Sequence, residues 1–278
     1  MKRWQVPHLR LLHRQFEPLA TSNAFVRWWL NHQLPIVNAW LAPLVRLGQE
    51  MLTRTTLDGR QLWVVPPALP ASCTTDDQTC TRPEGRHLLD LPIGVIDYGG
   101  AGPAFAVEAL YRLRHEHDSP AELVVMRNPV TPPDPAQWAA LRQLVQRLRL
   151  ENRVHLRPLS TTTEFQSFYN VVDALLLPDA QHARYLAVLS AMSSGCPLVC
   201  AHTPDAAELL CHGRTALLFP VHDLATCAQQ LFVSLSSPAQ ADLLAARAVA
   251  FARFHYDPVQ QSQHLETILD YVCLPEEC

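Results

Sequence analysis

Lysine is nearly missing from this chain: Lys2 is the only one in 278 residues. Any site that needs a fixed cation beyond the first residues must therefore use arginine, or histidine in its charged form. Glycine is also scarce, nine in all, so the run Gly99-Gly100-Ala101-Gly102 stands out and asks for a backbone reason. No apolar run reaches the roughly 18–20 residues that a bilayer-spanning helix requires. Charged residues make up only 17% of the chain and hydrophobic ones 48%, which excludes an intrinsically disordered or highly solvated class. A secretory leader is not expected either, because Pro7, His8, Arg10, His13 and Arg14 interrupt any apolar core near the start. The expected location is the cytoplasm, with attachment to a membrane surface as the alternative.

Cysteine is moderately frequent, with eight residues. Several lie inside apolar patterns, where a free thiol behaves as a small hydrophobe. Cys196, Cys200, Cys211 and His212 form the only run that invites a zinc reading. Its spacing fits no usual knuckle, so no metal and no cofactor is expected. Cys73 and Cys80 flank a polar loop and would pair only under oxidising conditions.

Charge is unevenly spread. Residues 1–54 hold seven Lys and Arg against Glu17 and Glu50, a net of +5 that leaves −9 on the rest of a chain of net −4. Trp4, Trp28, Trp29 and Trp40 fall in the same basic head. The combination suits a docking face for a partner chain, or an anionic membrane surface. No nucleic-acid partner is expected. The head reads as mostly helical: His8 to Phe16 between Pro7 and Pro18, a helix capped by Thr21 or Ser22 running to about Gln33, and another from Ile36 to about Thr53. Gln61–Val65 reads as a strand, and residues 70–87 as a polar connecting loop.

From Ile93 onward the pattern becomes regular. Apolar strands are expected at Ile93–Tyr98, Glu122–Met126, Val154–Leu156, Asp173–Leu177, Pro197–Ala201 and Ala216–Phe219. Helices alternate with them at Ala104–His117, Pro135–Leu150, Thr163–Asn170, Leu186–Ser194 and Asp205–His212, followed by helices from Leu224 and Ala239. Such alternation predicts an α/β domain, a parallel sheet with helices on both faces. The division expected is a helical, basic, Trp-rich segment over 1–60 and a Rossmann-like domain over 61–278. Gly100-x-Gly102 after the first strand resembles a dinucleotide fingerprint. Its third glycine is missing, Pro103 interrupts it, and Asp118 and Glu122 are only loosely placed as ribose acids.

The stretch from Asp173 to Gly195 has the strand–loop–helix layout that presents backbone N–H groups to phosphate. Within it, Leu189-Ser190-Ala191-Met192-Ser193-Ser194-Gly195 resembles the Leu-Glu-Ala-Met-Ala-x-Gly segment of family 4, two-Rossmann-domain (GT-B type) glycosyltransferases. His182 stands where that family carries its first Glu and Ser190 where it carries the second. Further likenesses follow in order: Leu62-Trp63-Val64-Val65-Pro66, Arg86 to Pro92, Arg153-Val154-His155-Leu156, Asp173 to Pro178, Glu208-Leu209 with Gly213 and Leu217-Leu218, and Phe254-His255-Tyr256. The resemblance spans roughly Leu62 to Val272 and is to the C-terminal, donor-nucleotide half of the family.

The resemblance implies a metal-independent transferase that takes a sugar from a nucleotide-sugar donor. It implies His182 as the catalytic group, and Gly99, Gly100, Arg127, Arg184, Tyr185, Ser190 and Glu208 at the donor. The departures are specific. The family's Arg and Lys after the first strand are replaced by the glycine loop, its glycine after the second strand by Met126-Arg127-Asn128-Pro129, and a further glycine by Pro158. Three readings follow: a transferase with a drifted donor site, a catalytically inactive homologue serving as a binding or scaffold subunit, or half of a split enzyme needing a partner chain.

Overall fold

The computed structural model describes residues 9–11, 39–42, 49, 52–53, 59–66, 69, 91–128, 134–157, 162–178 and 185–273. The chain forms two compact units, residues 1–69 with 256–278, and residues 70–255.

In the first unit three short strands lie parallel in the order β1-β2-β3: β1 (Leu9–Leu11), β2 (Ala39–Ala42) and β3 (Leu62–Val64). Leu41 pairs with Leu11 on one side and Trp63 on the other, and the Val65 amide donates to the Ala42 carbonyl at 2.9 Å. The strand expected over Gln61–Val65 is present. Strands stand at Leu9–Leu11, within the helix expected over 8–16, and at Ala39–Ala42, within the one expected from Ile36, whose described later residues 49, 52 and 53 are helical. Pro43 supplies one reason, since the residue before a proline is driven out of the helical region and Ala42 is that residue. The other reason is that a three- or four-residue strand is specified by its partners' backbones rather than by its own periodicity.

The second unit alternates strand and helix in the expected order. β4 (Pro92–Asp97), α1 (Gly102–His117), β5 (Glu122–Arg127), α2 (Pro135–Arg147), β6 (Val154–Arg157), α3 (Thr162–Val171) and β7 (Ala174–Leu177) come first. Then follow α4 (Tyr185–Ser193), β8 (Leu198–Ala201), α5 (Pro204–Leu209), β9 (Leu217–Phe219), α6 (Leu224–Ser236) and α7 (Pro238–His255). The chain then re-enters the first unit through α8 (Pro258–Cys273), where the Leu69 amide donates to the Tyr256 carbonyl and Trp63 meets Tyr271 edge-on, 5.3 Å between centroids.

All six strands of the second unit are parallel, in the order β6-β5-β4-β7-β8-β9. Every residue of β4, β7 and β8 is buried, as a sheet covered on both faces requires. Because alternate strand residues face opposite ways, Ile93 and Val95 join Leu123 and Val125 beneath α1, α2 and α6. Gly94 faces α3 instead. A Cβ built there would lie 2.8 Å from Phe168 Cζ and 3.0 Å from Val172 Cγ1, so only glycine admits this helix so close to the sheet.

Local chemistry sets the helix ends. Asp134 caps α2 by accepting from the amides of Ala136 and Gln137, with Pro135 at the first position, where its missing N–H costs nothing. Thr203 caps α5 and Asp223 caps α6 in the same way. Among the described residues no helix is long and apolar enough to cross a membrane.

Candidate functional site at the switch point of the sheet

Numbered along the sheet, the six strands run third, second, first, fourth, fifth, sixth. The chain leaves β4 toward β5 and β6 on one side, then crosses to β7, β8 and β9 on the other. Parallel strands place all their C-terminal ends on one edge. Where the strand order reverses, here between β4 and β7, open α/β sheets bind ligands in a crevice outside those ends.

The loop after β4 is the glycine run. Gly99 and Gly100 both adopt positive φ, 83° and 87°, a region costly for any residue with a Cβ. A Cβ on Gly100 would meet nothing within 4 Å, so that face of the loop is open. A Cβ on Gly102 would lie 3.5 Å from Pro178 Cγ, which brings the ends of β4 and β7 together. Asp97, the last residue of β4 and 3% exposed, accepts from the Gly99 amide at 2.8 Å. Gln137, in the first turn of α2, donates from Nε2 to the Gly100 carbonyl at 2.7 Å and lies 3.4 Å from Asp97 Oδ1. Between α1 and α2 a cavity of about 430 Å³ opens beside this loop, bounded by Gly100, Pro103, Ala104, Gln137, Leu141 and Arg147.

Arg127 ends β5 in direct register with Asp97. Its Nε is buried and has no hydrogen-bond partner. A buried guanidinium N–H without an acceptor is costly, and this one belongs to the last residue of β5, at the carboxyl edge of the sheet. An anionic oxygen is the natural acceptor for it.

The other residues expected from sequence fall as follows. Tyr185 begins α4, the helix that follows β7, and burial raises its phenol pKa above 10.0. Ser190 lies one turn further, half-buried, its carbonyl accepting from the Ser193 hydroxyl at 3.0 Å. Glu208 is half-buried near the end of α5. His182 and Arg184 lie outside the described residues. Gly99 and Gly100 thus lie in the loop after β4, Arg127 at the end of the neighbouring β5, and Tyr185 at the start of the helix that follows β7.

Glu122 and His212, both weighed from sequence, hold other parts of the fold. Glu122 starts β5, at the opposite edge from the crevice, and accepts from Arg153 Nη1 at 2.8 Å and pairs with His155 Nε2 at 2.7 Å. It is a structural acid and not a ribose ligand. Cys196 and Cys200 are buried, Cys211 is exposed, and His212 Nδ1 accepts from the Leu218 amide at 2.9 Å. Among the described residues no group of three or more His, Cys, Asp or Glu could hold a metal ion. Cys73 and Cys80 lie outside the described residues.

Asp97 and Gln137 were not singled out from sequence. Asp97-x-Gly99 is a readable signal, because an Asp side chain commonly accepts from the amide two residues on. Gln137 carried no signal, being 40 positions from Asp97.

Comparison with known proteins agrees with this architecture. The family model for glycosyl transferases group 1 matches residues 93–236. No curated protein matches the chain. Among solved structures, the Anabaena protein HepE in complex with UDP and glucose is 17% identical, with a TM-score of 0.77 over 95% of this chain and 71% of that one. A glycosyltransferase from Rickettsia africae is 13% identical, TM-score 0.73, over 90% of this chain and 67% of that one. TarM from S. aureus, solved in a complex that includes UDP, is 10% identical, TM-score 0.73, over 95% of this chain and 51% of that one. The chain thus spans about half to seven tenths of the length of these structures. The six-stranded unit has the Rossmann-like GT-B fold. Matched over more than half of its length, the chain belongs to the glycosyl transferases group 1.

Proposed function

We propose that this chain supplies the donor-nucleotide half of a family 4 glycosyltransferase, holding a nucleotide sugar in the crevice between β4 and β7. The observation that carries the proposal is the buried, unpartnered Nε of Arg127 at the carboxyl edge, beside a glycine loop whose outer face is open. HepE and TarM were solved with UDP, which makes a uridine donor the first to test.

In such a transfer the bond from the anomeric carbon to the diphosphate oxygen breaks and an acceptor oxygen takes its place. The acceptor's proton passes to a base, and the nucleoside diphosphate leaves with increased negative charge. Stabilising that charge is the site's largest task. In this chain Arg127, the amides at the start of α1, and Arg184 take the place of the family's Arg and Lys. His182 is the base or phosphate contact, and Tyr185, Ser190 and Glu208 complete the donor side. Arginine suits the exchange, since its fork of donors matches two phosphate oxygens where lysine offers a point charge. The mechanism asks for no metal.

A second reading is favoured by Ser190. This half-buried hydroxyl stands where the family has a carboxylate, and it offers one hydrogen bond where a carboxylate accepts two from a ribose. On that reading the domain binds a nucleotide or a partner without turnover, and residues 1–54 dock a partner chain or an anionic membrane surface. The division at residue 60 into a docking head and a donor domain belongs to the same proposal.

Calorimetric titration with UDP, GDP and UDP-glucose tests the proposal. Saturable binding is expected, with Arg127→Gln weakening it about tenfold or more, as loss of a charge-assisted hydrogen bond does. No binding at millimolar nucleotide by folded protein would overturn it. Binding without sugar transfer or hydrolysis would select the second reading.

A further inference from the structure

We propose that Gln137 is a positioning residue for the donor diphosphate, acting through the Gly100–Ala101 peptide; this rests on the donor-site reading above. Two consecutive glycines at positive φ have little conformational preference of their own, so their path is set by what grips them. Asp97 grips the first through its amide, from the same strand. Gln137 grips the second through its carbonyl, and it does so from a separate helix.

That helix start is itself fixed. Asp134 accepts from the amide of Gln137, so the residue that reaches the loop is anchored at its own backbone. The peptide bond is planar and trans, so the carbonyl of Gly100 and the N–H of Ala101 point in opposite directions. Drawing the carbonyl toward Gln137, on the β5 side of β4, turns the Ala101 N–H the other way. The strand order puts β7 and Pro178 on that other side, which is the side of the crevice. Gln137 thereby holds a backbone donor toward the position of the diphosphate on the β7 side, while Arg127 ends β5 on the other side of β4. Its own side chain need not touch the ligand.

The role has a signature that a general loss of packing lacks. Gln137→Ala removes the tether. Gln137→Glu keeps the shape but turns the donor into an acceptor facing the Gly100 carbonyl and the Asp97 carboxylate, so it should disturb the loop more. The expected order of UDP affinity is wild type, then Gln137→Ala about fivefold weaker, then Gln137→Glu weaker again. UMP affinity should fall less than UDP affinity, because the second phosphate is what the reoriented amide addresses. In the ligand-free protein the Ala101 amide should shift and exchange faster in both variants, while the melting temperature of Gln137→Ala changes little.

Wild-type UDP binding with unchanged affinity in both variants would overturn the positioning role and leave the donor-site reading intact. An equal loss for UMP and UDP would also overturn it. Failure of the wild type to bind UDP would sink the donor-site reading instead. The tether would then stand on faster exchange of the Ala101 amide in Gln137→Ala, and fall if that exchange were unchanged.

Discussion

Replacing Gly100 with alanine separates backbone strain from crowding. Gly100 has φ 87°, and a Cβ there meets nothing within 4 Å, so any effect must come from the backbone conformation. Forcing a residue with a Cβ into this region costs roughly 1–2 kcal/mol, which for a domain of this size lowers Tm by about 2–8 °C. Gly213 is the matched control. It has φ 70° and an equally open Cβ direction, but it lies in the turn leading into β9, at the edge away from the crevice. Gly213→Ala should therefore lose similar stability. The two variants should part in nucleotide titrations: Gly100→Ala weakens UDP binding by an order of magnitude or loses it, and Gly213→Ala binds as the wild type does. Scanning calorimetry and isothermal titration on the three proteins make the comparison. Equal UDP affinity in Gly100→Ala and wild type would refute the claim that this loop's conformation receives the diphosphate.

Other outcomes can be checked on the same protein. Gly94→Ala should lower stability by about 1–3 kcal/mol without a change in UDP affinity per folded molecule, because its Cβ meets Phe168 and Val172 at 2.8–3.0 Å. Glu122→Gln should lower Tm and leave nucleotide binding unaltered, since its pairing with Arg153 and His155 sits at the edge of the sheet opposite the crevice. The Asp223 carboxyl is held below its ordinary value of 3.8, first by the Thr226 hydroxyl and then by the Thr226 amide. A lowered folded-state pKa contributes stability that is present above the unfolded value and lost as pH falls through the folded one. Urea unfolding at pH 5 and pH 3 should therefore show a smaller acid loss in Asp223→Asn, which still caps α6 but does not titrate.

The parallel sheet was legible because each buried strand is a compact apolar run bounded by polar turns, and each intervening helix has apolar spacing of its own. Ends moved by a few residues, as at α2, which stops at Arg147 rather than Leu150. The first unit was less legible for a physical reason. β1 and β2 are three and four residues long, and their form is decided by pairing between segments far apart in sequence, such as Leu41 with Trp63. The glycine loop announced itself because positive φ leaves a residue-type signature. The groups that hold it did not: Asp97 carried only the weak signal of an Asp two residues before a glycine, and Gln137 none. Arg127 was visible as a charge where a glycine was expected, but its buried, unpartnered Nε depends on packing that no spacing reveals.

The most direct test of the central claim is a map of backbone amide shifts in labelled protein titrated with UDP. The responding amides are expected at Tyr98 to Gly102, Arg127, Asn128 and Tyr185, along the carboxyl edge of β4, β5 and β7. Amides at Glu122, Arg153 and Gly213, on the opposite edge, should stay still. Shifts confined to that opposite edge, or no shifts at millimolar UDP, would contradict it.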